Sequence, residues 1–161
     1  VVAGWIGNTF AAARFDAAGQ PDLGFGSGGL VTTPFDSYDA RAQGVAIQPD
    51  GKIVVVGYTG EMSNEDFAVA RYSNGRELDP EFGSGGKLTI DFFGNSDRAA
   101  CIAIQADGKI LVAGSAWSGR LDFVLYSIPL YGCRCRRGFV VERETGLEPA
   151  TSTLGRSRSA R

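Results

Sequence analysis

The sequence predicts an all-β chain, built as a tandem array of four-stranded antiparallel units in an incomplete β-propeller-like arrangement. Three observations carry this. The 161 residues include 23 glycines, about twice the usual share. Those glycines fall in turns between short apolar runs, as expected when many short strands follow one another. Above all, the chain repeats itself. Shifted by 57 positions, Thr9–Gly57 meets Asp66–Gly114 with 23 identities in 49 positions and no gap. A period of this length marks a repeat architecture.

The repeated motifs are specific. Phe10-Ala11-Ala12-Ala13-Arg14-Phe15 returns as Phe67-Ala68-Val69-Ala70-Arg71-Tyr72. Phe25-Gly26-Ser27-Gly28-Gly29 returns unchanged as Phe82-Gly83-Ser84-Gly85-Gly86. Ala46-Ile47-Gln48-Pro49-Asp50-Gly51-Lys52-Ile53 returns as Ala103-Ile104-Gln105-Ala106-Asp107-Gly108-Lys109-Ile110.

One complete unit reads from Gln43 to Ala99. Gln43–Gln48 is a short apolar strand. Pro49-Asp50-Gly51 is a tight turn, in which Pro presets φ and Gly takes the left-handed position. Lys52–Tyr58 carries Ile53, Val54, Val55 and Val56, a β-branched run suited to burial on both faces and placed toward the hub. Thr59–Asp66 reads as a polar loop whose length differs between copies. Phe67–Tyr72 is a third strand, and Asn74-Gly75 turns the chain again. Gly83–Gly86 is a corner, and Lys87–Phe92 alternates polar with apolar residues as an outer strand does. Partial units occupy about 1–42 and 100–125. A four-stranded sheet alone hides too little apolar surface to offset the entropy of ordering it, so such units stabilise one another by stacking. The opening Val1-Val2-Ala3-Gly4 lies inside a repeat strand, so the chain is expected to be a piece of a longer protein.

These motifs resemble the bacterial delta-60 repeat family. Its units combine a Phe-Ala-Leu-Ala-Arg-Tyr strand, an Asp-x-x-Phe-Gly-x-Gly-Gly corner and an Ala-Ile-Gln-Pro-Asp-Gly-Lys-Ile hairpin. The counterparts here are Phe67–Tyr72, Asp79–Gly86 and Ala46–Gly57, and the resemblance covers about residues 1–125. It implies a propeller-like module of a larger bacterial, extracellular or surface-attached protein, without a general enzymatic activity. A fragment of a propeller-type hydrolase or lyase, with its active site in other blades, is the alternative.

The pattern fails after Phe123-Val124-Leu125. Residues 1–132 carry 9 Lys and Arg against 15 Asp and Glu, whereas residues 133–161 carry 7 Arg against 3 acidic residues. Residues 126–161 are therefore expected to be a divergent tail, disordered or derived from a frameshift. Gly146-Leu147-Glu148-Pro149 is similar to a conceptual reading of a transfer-RNA arm. The acidic body argues against nucleic acid as a partner. No run of apolar residues is long enough for a transmembrane helix. The expected partners are neighbouring repeats of the same chain and a protein or glycan ligand.

No catalytic, cofactor-binding or metal-binding residue is assigned from the sequence. The chain has no His, which removes the commonest general base and metal ligand. Gly24-Phe25-Gly26-Ser27-Gly28-Gly29 fits a dinucleotide-binding spacing, but a strand follows it where a helix is needed. Gly86-Lys87 is followed by Leu88, where a P-loop requires Ser or Thr. Cys133 and Cys135 cannot assemble four metal ligands, and Cys101 reads as a small buried residue matching Gly44. Arg14 and Arg71 can pair with Asp22 and Asp79 as part of the framework. Asp91, Asn95 and Asp97, and earlier Asp36 and Asp39, offer oxygen ligands of the kind Ca²⁺ takes. The same residue types favour turns, so the loops are read as solvated turns and no cofactor is expected. Arg156, Arg158 and Arg161 form a basic end without the aromatic interleaving of a nucleic-acid arm.

Overall fold

Each apolar run of the repeat folds as a strand, and no helix occurs among the described residues. The computed structural model describes residues 1–36, 39–74 and 77–129, and the backbone of 139–142. The strands are β1 (Val2–Ile6), β2 (Thr9–Ala13), β3 (Leu30–Thr33), β4 (Asp39–Ile47), β5 (Ile53–Glu61), β6 (Asn64–Tyr72), β7 (Lys87–Ile90), β8 (Asp97–Ile104), β9 (Ile110–Trp117), β10 (Leu121–Ile128) and β11 (Phe139–Glu142). They form three antiparallel sheets, β1-β2-β3, β4-β5-β6-β7 and β11-β10-β9-β8. None closes on itself, so these are successive propeller-like blades in an open array.

Side-chain alternation explains the stacking. In β5, Ile53, Val54, Val55 and Val56 are all buried, although neighbours point to opposite faces. Val54 and Val56 join Phe67 and Val69 in a core shared with Val112, Val124 and Ile128 of the third sheet. Ile53 and Val55 join Ala68, Ala70 and Tyr72 in a second core shared with Phe10, Ala12 and Val31 of the first. The middle sheet is thus covered on both sides. A hydrogen bond of 2.7 Å joins the Thr33 and Tyr72 hydroxyls across one of these gaps.

The predicted turns form as read. Gly51 and Gly108 take φ of 84° and 79°. Each donates its N–H to the carbonyl of the Gln three residues earlier, at 2.8 Å. The Gly24–Gly29 segment is a corner that feeds strand β3, and Lys87 opens strand β7. The Asn74-Gly75 turn falls partly outside the described residues.

Four expectations are corrected. Thr59–Asp66 is not a loop: β5 and β6 run through it to the pair Glu61↔Asn64, leaving only Met62 and Ser63 as the turn. Its polar residues mislead because Thr59 and Glu65 are buried strand positions between sheets. The Val run is the second strand of its sheet, with β4 at the edge, and β8 of the next sheet packs on β4, β5 and β6. The third unit continues past residue 125, since β10 extends to Ile128 and Phe139–Glu142 adds a strand beside it. The rest of 126–161, with Cys133, Cys135 and the terminal arginines, lies outside the described residues apart from position 129. Finally, Cys101 is exposed. It pairs with Ala113, on the face of the third sheet that no other described sheet covers.

A β-bulge interrupts the edge strand of two sheets, between Ala42 and Gly44 and between Ala99 and Cys101. The glycine opposite each is held close to the bulged backbone. A Cβ on Gly57 would lie 2.0 Å from the Arg41 carbonyl oxygen, and one on Gly114 would lie 2.1 Å from that of Arg98. Gly4, the matching residue of the first sheet, has nothing within 4 Å. Gly57→Ala is therefore expected to destabilise the chain by about 1–3 kcal/mol or more. Gly4→Ala should leave stability within about 0.5 kcal/mol. Urea denaturation of the two variants measures the contrast.

Candidate functional site

Two groups of buried charge stand out, and they are built on opposite principles. The first is the corner that follows each third strand. Arg71 ends the apolar stretch of β6, and its N–H and carbonyl bond Gly86 and Asp79, which draws the Gly-rich corner back against the strand. Its guanidinium Nε donates to Asp79 Oδ2 at 2.9 Å and its charge lies over the Phe82 ring, 4.6 Å from the centroid. Lys52 Nζ reaches the same oxygen at 2.9 Å. Burial raises the Asp79 carboxyl, but the Lys52 and Glu81 hydrogen bonds and the two cations outweigh it and hold the group below the usual carboxylate range. Arg14, Asp22 and Phe25 repeat the arrangement in a more exposed form. The pairing of arginine with aspartate expected from the repeat is thus present in both units, as framework.

The second group lies where the second sheet hands the chain to the third. Asp66 is on β6, Asp91 directly follows β7, and Asp97 opens β8. One carboxylate oxygen from each lies within 4.8 Å of the others. Asp97 is fully buried, at 0% exposure. Its Oδ2 accepts the Phe92 N–H at 2.6 Å, while its Oδ1 is buried without a hydrogen-bond partner. Among the described residues, none of the three carboxylates makes an ion pair with Lys or Arg.

The electrostatics follow from that crowding. Burial pushes the Asp97 carboxyl up, backbone N–H groups of Phe92 and Trp117 partly offset this, and the charges of Asp91 and Asp66 push it further, to about 6. Burial and the Asp91 charge also raise Asp66. Next to Asp66 in sequence, Glu65 behaves in the opposite way. Burial alone would raise it, yet hydrogen bonds from Ser96, just before β8, and from Arg98 of β8 hold it below the usual range.

Of the oxygen ligands picked out in the sequence, Asp91 and Asp97 come together, whereas the Asn95 side chain is tied to the Phe93 carbonyl. Asp39 instead pairs with Arg41. Asp66 was missed, because it sits in the segment taken for a loop. The period does carry a signal for it: the positions 57 residues before Asp66, Asp91 and Asp97 hold Thr9, Pro34 and Ala40.

Comparison with known families agrees with the repeat. A family model described as a β-propeller domain of unknown function (DUF5122) matches residues 48–82 and 105–126. The two stretches start one period apart and cover the same turn and strands of successive units. The chain therefore carries propeller-like repeats. No curated protein matches it.

Two outcomes follow. Asp79→Asn removes the partner of a buried arginine and is expected to cost about 3–5 kcal/mol, well above Asp22→Asn in the exposed copy, by denaturant titration. Asp97 ionises less readily folded than unfolded, so its contribution to stability is full below about pH 4 and is lost as the pH rises to about 6. In buffer free of divalent cations, Asp97→Asn should flatten that fall and exceed the parent by about 1–3 kcal/mol above pH 6. Glu65 and Asp79 act with the opposite sign, losing their stabilisation as the pH falls through the acid range.

Proposed function

We propose that the chain is a stretch of a tandem array of delta-60-type repeats, a structural and interaction module of a larger bacterial protein rather than an enzyme. The extracellular or cell-surface setting rests on the family resemblance. The main partners are further repeats of the same chain, stacked on the two outer sheet faces. A protein or glycan ligand would bind at the hairpin ends, where Asp36, Gly60, Asn64 and Asp66 line a recess of about 340 Å³.

The carrying observation is a difference in burial between equivalent positions. Phe67 is 0% exposed beneath the third sheet, while Phe123, its counterpart in that sheet, is 50% exposed. At the other end Val55 is 0% exposed beneath the first sheet, and its counterpart Val2 is 54% exposed. Leu121 adds to the first outer face, and Ile6 and Phe15 to the second. Each outer face repeats the apolar pattern that the interior uses for stacking, which is how a surface intended for cover differs from scattered apolar residues.

The test is a chain lengthened by one repeat after the third unit, compared with the present one. Phe123→Ala is expected to cost less than about 1 kcal/mol in the present chain and about 3–5 kcal/mol in the longer one. Small and equal costs in both would overturn the reading.

A further inference from the structure

We propose that Asp66, Asp91 and Asp97 form a Ca²⁺ site that clamps the chain segment joining the second and third sheets. Four observations support it, and none depends on the assignment of the module.

The first is geometric. Oxygens that share one Ca²⁺ at about 2.3–2.6 Å can stand no further apart than about 4.6–5.2 Å. The three carboxylate oxygens lie within 4.8 Å of one another. All are hard oxygen donors, the class that Ca²⁺ prefers.

The second is an orphaned group. Asp97 is completely buried and its Oδ1 has no hydrogen-bond partner. A buried polar atom without a partner is costly, and a buried ionised carboxylate more so, unless it is paired or coordinates a metal.

The third lies outside the carboxylates. Thr59 is 5% exposed and its Oγ1 also has no partner. It stands directly opposite Asp66 across β5 and β6 and lines the same recess. A second buried oxygen without a partner therefore stands beside Asp66.

The fourth is the comparison inside the chain. At the matching junction between the first and second sheets, the three positions hold Thr9, Pro34 and Ala40. None of these three positions is a carboxylate there, although Asp36 and Asp39 lie in the same segment and Asp39 pairs with Arg41, and Ala40 fills the buried position that Asp97 takes. All three positions become Asp together at one junction and not at the other. A framework role does not require that coincidence, whereas shared ligation of one cation does.

The experiment adds CaCl₂ to protein stripped with chelator, followed by titration calorimetry and thermal denaturation. One Ca²⁺ per chain should bind, and the melting temperature should rise with Ca²⁺ concentration. Mg²⁺, which demands shorter and more regular coordination, should bind more weakly. Asp91→Asn, at an exposed position, should keep the fold and weaken Ca²⁺ binding about tenfold or more. Asp66→Asn should do the same, and Asp107→Asn at the other end of the sheet should change nothing. Absence of binding heat and of any melting shift in the folded parent chain would overturn the site. So would a Ca²⁺ affinity left unchanged in both Asp91→Asn and Asp66→Asn.

Discussion

The structure depends on one constraint: a strand whose consecutive residues are all apolar must be covered on both faces. In β5 the run from Ile53 to Val56 is fully buried, and alternation sends its members to opposite sides. A single sheet leaves one of those faces in water. The second sheet is therefore held between two others, and each gap becomes a separate core. Glycine at Gly57 and Gly114 belongs to the same constraint. The bulged edge strand passes too close for a side chain there, and it is this edge strand that meets its counterpart in the next sheet.

Charge is handled in two ways within this scaffold. Asp79 is buried but surrounded by donors and cations, so its ionised form is favoured and the corner is tied down. Asp97 is buried with carboxylates for company, so its ionised form is disfavoured. The same side chain thus stabilises a folded corner in one place and loads a junction with uncompensated charge in another. The difference lies in which neighbours the fold supplies. The third unit has no equivalent of the first arrangement, because Ser127 stands where Arg71 and Arg14 stand in the earlier units.

Much of the framework was legible in the sequence because the repeat states it more than once. The Gln-Pro-Asp-Gly-Lys turn, the apolar strand after it and the Gly-rich corner each recur at one spacing, and each folds as read. Where the reading failed, polarity was the cause. Thr59 and Glu65 resemble loop residues in composition, yet they are buried strand residues, and Glu65 bonds Ser96 and Arg98 at the start of β8. That hid Asp66 and, with it, the meeting of three carboxylates from separate elements. Cys101 failed for another reason: its environment depends on whether a neighbour covers its sheet, which a local pattern does not encode. The strand at Phe139–Glu142 lies beyond the point where the repeat motif stops, so repetition could not announce it.

The two outer faces carry a further consequence. The one bearing Phe123 and the one bearing Val2 correspond to the two sides of every interior gap, so they are complementary to each other. Joining unlike surfaces head to tail produces a polymer with no intrinsic stop. Such growth ends only when the accumulated rotation brings the last surface onto the first and makes a ring, or when something of different chemistry caps it. The number of members in the finished assembly is then a property of the angle between consecutive sheets, and the chemistry of the surfaces leaves it open.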